Sequence, residues 1–283
     1  MTHLQTISDL WRGVRTSPWK TAQYAFTNFS VLFTIVRAIT HFLPTIKIEG
    51  PVPFSAALLV SVGFALNKVW KPSRIEVAIA NCNTVIEIVF GDLFAQSGIR
   101  VIPVNEYFDS QLGRPVSDKS VHGIFLQRCF GGHPESFDKQ IDQELKDTQS
   151  TRQNKIEGKV DCYPIGTTAL LNVNQDRYIA FASAKTDPTT CKAFSDVNLM
   201  WVSLHKLWQR ARIESGGHTV NLPLVGSGLS GVGLPTRDLL NLIVLSAITE
   251  TKMKEITQRI RIVVHRDRFG DIDLRDVKKH WKE

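Results

Sequence analysis

A chain of 283 residues suggests one or two domains, and its four widely spaced cysteines (Cys82, Cys129, Cys162, Cys191) form no Cys-x-x-Cys pair. Such a chain needs no disulfides to build a core, so reduced thiols are expected; Cys129 and His133 have zinc-ligand spacing, but no second pair completes a closed site. The formal charge of +7 is uneven: residues 1–72 hold seven Lys and Arg against Asp9 and Glu49, a net of +5, which leaves +2 for the rest. This excess flanks apolar segments and makes no basic footprint on a folded domain, which argues against a nucleic-acid partner.

At the start of the chain, Leu4, Ile7, Trp11 and Val14 recur at helical spacing, with Arg12 and Arg15 on other faces. Residues 1–20 therefore read as an interfacial amphipathic helix with Trp11 and Trp19 at headgroup depth, or as a helix packed on the soluble part. Residues 25–43 and 53–69 are apolar and about long enough to cross a bilayer. With the short connector 44–52 they read as a transmembrane hairpin over residues 21–72. The alternative is a pair of buried helices in a soluble all-α domain. Arg12, Arg15 and Lys20 precede the first span, and Lys68, Lys71 and Arg74 mark the end of the second. The positive-inside rule then places both termini in the cytoplasm and the chain in the inner (cytoplasmic) membrane as a multi-pass protein. Arg37 lies within the first span. It must face a partner helix, water or the interface, or snorkel, since it sits about one turn before His41.

From about residue 74 the pattern changes to alternating strands and helices, as in an α/β layered domain. Strands are expected at 75–79, 85–90, 99–104, 178–182 and 259–264. Phe137, Ile141 and Leu145 keep one helical face within an otherwise loop-like stretch, 133–159, and a long helix is expected over 196–214. An extended segment, 218–225, leads into Leu224-Val225-Gly226-Ser227-Gly228-Leu229-Ser230-Gly231-Val232-Gly233, then Pro235 and a helical pattern over 238–256. Glycines at a strand-to-helix turn leave the backbone amides unshielded beside a helix N-terminus, which suits a phosphate or pyrophosphate. The run also matches Gly-x-Gly-x-x-Gly. However, it comes too late in the chain to open a dinucleotide-binding fold, and Glu250, at ribose-binding distance, falls inside a helix.

In this order the chain resembles a macro domain. Val89-Phe90-Gly91-Asp92-Leu93 is similar to that family's Gly-Asp-Ile strand end, and Val101-Ile102-Pro103-Val104-Asn105 to its buried strand ending in Val-Asn. Tyr163-Pro164-Ile165-Gly166-Thr167-Thr168-Ala169 resembles the glycine-containing turn before a central strand, and 224–233 the second phosphate loop. The resemblance implies a macro-domain-like mixed sheet flanked by helices over residues 73–283. It implies a ligand-binding set of Asp92 (on adenine), Leu93, Asn105 (on ribose), Gly166, Thr167, Thr168, Gly226, Ser227, Gly228, Leu229, Ser230 and Gly231. Read from the residues alone, Asp92 is equally a turn or cap residue, Asn105 a loop holder, and the threonines strand-face positions.

The departures point to function. Phe108 stands where hydrolytic macro domains have a second Asn, and Gly113-Arg114-Pro115-Val116-Ser117 replaces their glycine-rich first loop. A binding module is therefore expected, with no catalytic residue, metal or cofactor beyond an ADP-ribose derivative as ligand; the alternative is a membrane-anchored ADP-ribosyl hydrolase. Arg114 or Lys119 stands ready for an extra carboxylate on the ligand, or in a solvated loop. Two membrane segments ahead of such a domain resemble the membrane effector of type II Thoeris anti-phage systems. That resemblance implies a partner TIR enzyme whose product, histidine-ADP-ribose, is the signal. It also implies a homo-oligomer that forms on activation and damages the lipid bilayer.

Overall fold

The computed structural model describes residues 10–11, 13–15, 17–43, 45, 48, 50–228 and 231–281. Leu4, Ile7 and Arg12 of the expected amphipathic helix, part of the connector, and Leu229 and Ser230 lie outside them. The chain divides into two compact units, residues 1–73 with 273–275, and residues 74–272 with 276–283.

The first unit is built on α1 (Pro18–Phe42) and α2 (Pro51–Val69), each opened by a proline whose missing N–H is not needed in the first turn. Both helices are long and apolar enough to cross a membrane, with mean hydropathy reaching 1.2 and 1.6. They pack on each other through small and polar groups as well as rings. Asn28 Nδ2 donates to Ser61 Oγ at 3.4 Å, Ser61 Oγ donates to the Ala57 carbonyl at 2.7 Å, and the Phe29 and Phe54 rings meet edge-on at 5.4 Å.

The second unit is a mixed sheet with helices against it. Its strands are β1 (Arg74–Ala78), β2 (Val85–Phe90), β3 (Ile99–Asn105), β6 (Thr168–Val173), β7 (Asp176–Thr186), β9 (Val220–Pro223) and β10 (Arg259–Val264). They lie in the order β1-β2-β10-β9-β3-β7-β6, and β8 (Ala193–Phe194) pairs with β7; β4 (Thr151–Arg152) and β5 (Asp161–Cys162) pair apart from them. β2, β10, β9, β3 and β7 are mutually parallel, and β1 and β6 close the edges antiparallel. The helices are α3 (Val121–Phe130), α4 (Glu135–Leu145), α5 (Val197–Glu214) and α6 (Thr236–Met253), with α7 (Leu274–His280) at the end of the chain. α3 packs on β3 and α4 on β6, around a core of Phe125, Leu126, Phe137 and Ile141 against Ile102, Val104, Ala180 and Ala182. The intervening sheet residues, among them Val101, Ile179, Phe181 and Ile262, are equally apolar and buried, as both faces of a parallel sheet require. α5 packs on β7, and α6 beside α5.

Two expectations need correction. The turn at Gly166 leads into an edge strand, β6; the inner strand is β7, which runs well past 178–182 because β3 and β6 pair with it on both sides. α3 was not expected at all. Its glycine weakens the helical pattern, yet Gly123 is required, since a Cβ there would lie 2.2 Å from the Ser117 carbonyl oxygen.

One rung of this sheet is polar. Register places Glu87, Arg261, Asn221, Arg100 and Tyr178 side by side on β2, β10, β9, β3 and β7. The Glu87 side chain, 2% exposed, meets Arg74 at 2.8 Å, Arg261 at 2.9 Å and Arg259 at 3.1 Å. Arg261 also donates to Asn221 Oδ1, Asn221 donates to the Ser97 and Ile99 carbonyls, and Arg100 reaches Tyr178 and Asp176. Glu87→Gln leaves three guanidiniums around a neutral group. Removing one partner of a buried ionic cluster costs about 3–5 kcal/mol, so the urea midpoint of the detergent-solubilised protein should fall markedly; an unchanged midpoint would contradict the role given to this rung.

His122, in the first turn of α3, is buried beside Phe137 with ring centroids 5.5 Å apart, and its Nε2 has no hydrogen-bond partner among the described residues. Burial, with the Lys159 charge adding to it, pushes its imidazole down to about 3. The folded protein thus holds a neutral ring, while the unfolded chain takes up a proton below about pH 6.5. This contribution to stability is complete above the unfolded value and is lost as pH falls towards 3, at about 1.4 kcal/mol per pH unit. Unfolding titrations at pH 7, 6 and 5 should show a shallower loss for His122→Leu than for the wild type, and parallel losses would refute it.

Candidate functional site

The connection from β3 runs on to β7 on one side of the sheet, whereas that from β9 runs to β10 on the other. The carboxyl ends of β3 and β9 therefore flank a topological switch point, the crevice where open α/β sheets take ligands. The glycine run leaves the end of β9 there. Asn105 ends β3 beside it, and Asp92 and His265 follow the ends of β2 and β10.

The glycine loop is held at its base. Gly226 has φ +81°, and a Cβ on it would lie 2.8 Å from Val232 and 3.1 Å from Leu239, so only glycine fits. Val232 N–H donates to the Gly226 carbonyl, Gly231 N–H to the Gly228 carbonyl, and Ser227 Oγ to the Leu224 carbonyl. Arg268, just after β10, donates to the Ser227 carbonyl at 3.0 Å and to Asp271, which accepts from Thr236 at the start of α6. By contrast, the N–H groups of Gly226, Ser227 and Gly228 find no acceptor among the described residues, and nothing lies within 4 Å of a Cβ built on Gly228. Three successive amides at a turn, without an acceptor among the described residues, are the kind of donor set that anion-binding turns use.

Asp92 is on the surface, its side chain 48% exposed. It caps a short 3₁₀ turn by accepting from Phe94 N–H, and Arg128 of α3 reaches its other oxygen at 2.8 Å while lying over the Phe94 ring. Burial works to raise its carboxyl, but the hydrogen bonds from Arg128 and Phe94 outweigh it and hold the group below its ordinary value. Leu93 turns its side chain into the core, so only its backbone faces the edge.

Asn105 is buried and engaged on both sides of its amide: Nδ2 donates to Asp109 Oδ2 at 2.7 Å, and Oδ1 accepts from Asp109 N–H at 3.1 Å. Asp109, also buried, pairs with the buried Lys155 ammonium and accepts from Lys159 N–H at 2.7 Å. Lys155 lies 4.2 Å from the centroid of the Tyr107 ring, whose hydroxyl burial pushes up and which donates to Gln153. Phe108, at the second-Asn position, has φ +50° with its ring in the core, a backbone conformation that needs such a clamp to persist. Gly166, Thr167 and Thr168 stand apart, separated from Asn105 by β7. Gly166 (φ +90°) packs under α5, where a Cβ would meet Lys206 at 2.7 Å, and Thr168 pairs with Phe181. Glu250 lies inside α6, where it pairs with His205 and Arg212. Among the described residues no group of three or more His, Cys, Asp or Glu is placed to hold a metal.

Sequence reasoning missed Arg128, Arg268, Asp109 and Lys155. Each acts across a long sequence separation, and none carries a local motif. Asp109→Ala should destabilise the protein by about 3–5 kcal/mol, because it strands a buried ammonium. Lys155→Met in that background should recover part of the loss, giving a strongly non-additive double-mutant cycle in thermal or urea unfolding. Additive losses would show that the pair is not coupled.

The model of the Thoeris protein ThsA macro domain matches residues 86–265. No curated protein matches the chain. Among solved structures it is similar to the Oceanobacillus iheyensis macrodomain with ADP, at 14% identity and TM-score 0.51, over 73% of this chain and 96% of that one. A variant of that macrodomain with ADPR aligns at 15% identity and TM-score 0.52, over 74% of this chain and all of the other. At such identities the likeness concerns the fold, whose mixed sheet and flanking helices agree with the second unit. The chain belongs to the ThsA macro-domain family of Thoeris proteins.

Proposed function

We propose that this chain is a membrane-seated sensor whose macro domain, residues 73–283, binds an ADP-ribose-type ligand. The observation that carries the proposal is the set of amides at Gly226, Ser227 and Gly228, without an acceptor among the described residues and beside the switch point in a chain of this family. The diphosphate takes those amides, with Leu229, Ser230 and Gly231 completing the loop. Asp92 accepts from the adenine amino group by giving up Arg128, an exchange made cheap by the exposure of that ion pair. Asn105 shapes the ribose end, and Gly166, Thr167 and Thr168 border it from the far side of β7. The lock at the end of β3 favours binding over hydrolysis, since it commits the Asp109 carboxylate to Asn105, Lys155 and the Lys159 N–H.

Beyond the domain, residues 1–20 lie at the interface and residues 21–72 cross the inner membrane as a hairpin, with both termini cytoplasmic. The signal is histidine-ADP-ribose supplied by a partner TIR enzyme, and ligand binding drives copies of the chain to assemble and disrupt the bilayer in anti-phage defence. Family membership and two spanning-length apolar helices support this reading.

Calorimetry with ADP-ribose on the detergent-solubilised full chain tests the site. Gly228→Val puts bulk into open space, so it should leave the melting temperature unchanged while weakening binding on the order of a hundredfold. Asp92→Ala should cost roughly tenfold or somewhat more, the worth of one hydrogen bond to a charged group. Undiminished affinity in Gly228→Val would remove the amide nest from the site, and turnover of an ADP-ribosyl ester by the wild type would replace sensor with hydrolase.

A further inference from the structure

α1 carries two classes of polar residue that differ in what they bond to. Asn28 faces α2 and donates to Ser61; Thr21 and Thr40 donate to the backbone carbonyls of Ser17 and Arg37. Lys20 stands in the first turn, and the others, Gln23, Thr27, Ser30, Thr34, Arg37 and His41, follow one another at intervals of 4, 3, 4, 3 and 4 residues. At 3.6 residues per turn this keeps all six within an arc of about 80°, and no apolar residue between Gln23 and His41 interrupts it. The arc lies on the side of α1 away from Asn28. Ser30 is half-buried and the other five are exposed. Among the described residues, the side chains of Gln23, Thr27, Ser30, Thr34 and Arg37 make no hydrogen bond. The shoulders of the stripe are large and apolar, with Tyr24, Val31 and Ile35 on one side and Phe26 and Phe33 on the other, all exposed.

From Gln23 to His41 the stripe rises about 27 Å at 1.5 Å per residue, nearly the whole hydrocarbon thickness of about 30 Å. Ser and Thr tolerate lipid by bonding to their own helix, as Thr21 and Thr40 do. Gln23 and Arg37 have no such refuge, and Arg37 is too far along the helix to be served by the polar groups at Gln23. Six polar side chains in one continuous line across the full depth, five of them without a hydrogen bond among the described residues, are matched by water. α2 occupies the opposite side of α1, so the water must be enclosed by something else. The apolar shoulders leave large exposed side chains on both flanks of the stripe, the surface a neighbouring α1 needs if its own stripe is to face the same lumen.

On the membrane reading proposed above, we infer that this stripe is the wall of an aqueous path closed by the α1 helices of further copies of this chain. α1 contains Lys20 and Arg37 and no acidic residue, and Arg37 lies on the stripe, so the wall favours anions over cations.

The full chain, purified and reconstituted in phosphatidylethanolamine–phosphatidylglycerol vesicles with and without ADP-ribose, provides the test. Single substitutions Thr27→Cys and Thr34→Cys on the stripe are compared with Val31→Cys and Ile35→Cys on its shoulder. Membrane-impermeant methanethiosulfonates label them, and the wild type supplies the background from the four native thiols. The stripe cysteines should react at least tenfold faster than the shoulder ones in one or both conditions. At Thr34→Cys the anionic reagent should outpace the cationic one, each taken relative to its rate with a free thiol, and Arg37→Gln in that background should abolish the preference. Equal labelling of stripe and shoulder in a carbonate-resistant protein overturns the inference and leaves the membrane reading standing. Release by carbonate overturns both. Fast stripe labelling with no charge preference removes the anion selectivity.

Discussion

The carboxylate of Glu87 is closed off from water and shared among Arg74, Arg259 and Arg261, and it begins a rung that passes through Asn221 and Arg100 to Tyr178. A parallel sheet buried on both faces specifies its register poorly, because Ile, Val and Leu fit at any offset that keeps them inside. A charged rung does not tolerate that freedom. Sliding β10 by one residue against β2 would turn Arg261 into the apolar layer on the other face and leave Glu87 buried without its partner. The rung therefore levels the strands, and once they are level their carboxyl ends are level too. Asp92, His265, the glycine loop and Asn105 reach one edge of the sheet because the polar residues near its other end leave the strands no other register.

At that edge the two loops beside the switch point are built on opposite principles. The segment after β3 is closed on itself: the buried Asp109 carboxylate gathers Asn105, the Lys155 ammonium and the Lys159 N–H beside the positive-φ backbone of Phe108. The segment after β9 keeps its base fixed through Gly226 and Arg268, and its Gly226, Ser227 and Gly228 amides have no acceptor among the described residues. On the β3 side the Asp109 carboxylate is thus held by Asn105, Lys155 and the Lys159 N–H, while the loop after β9 presents donors.

How much of this could be read from the chain alone follows from the range of each interaction. The strands at 85–90 and 259–264 carry dense Ile and Val between polar turns and appear at those residues. The long helix keeps its limits because Asp196 caps Leu199 N–H. The glycine run announces itself because an unusual backbone demands an unusual residue. α3 and the edge position of β6 were not legible. The first hides its helicity behind a glycine demanded by close approach to Ser117, and the second is a matter of topology, which no local pattern encodes. Asp109 and Lys155 are 46 residues apart and look like ordinary surface charges until the fold buries them together. The polar stripe of α1 is the opposite case. It is fully present in the sequence, but it separates from Asn28 and Thr21 only when the structure shows which polar groups α2 satisfies.

On the proposed reading, the energetics of a sensor follow from these same features. Moving an assembly equilibrium from one per cent to ninety-nine requires about 5.5 kcal/mol of differential affinity. Each hydrogen bond from an amide to a diphosphate oxygen is worth about 1.5–3 kcal/mol when its partner is charged. Two or three amides that are unpaired beforehand thus reach the required scale, provided the assembled state orders the loop and the separate state does not. The exposed Arg128–Asp92 pair subtracts at most about 1 kcal/mol when it opens. A loop with its amides already satisfied internally would have to surrender those bonds first and would fall short. On that reading, amides at Gly226, Ser227 and Gly228 that lack an acceptor among the described residues have no such bonds to surrender and can give their binding energy to the switch.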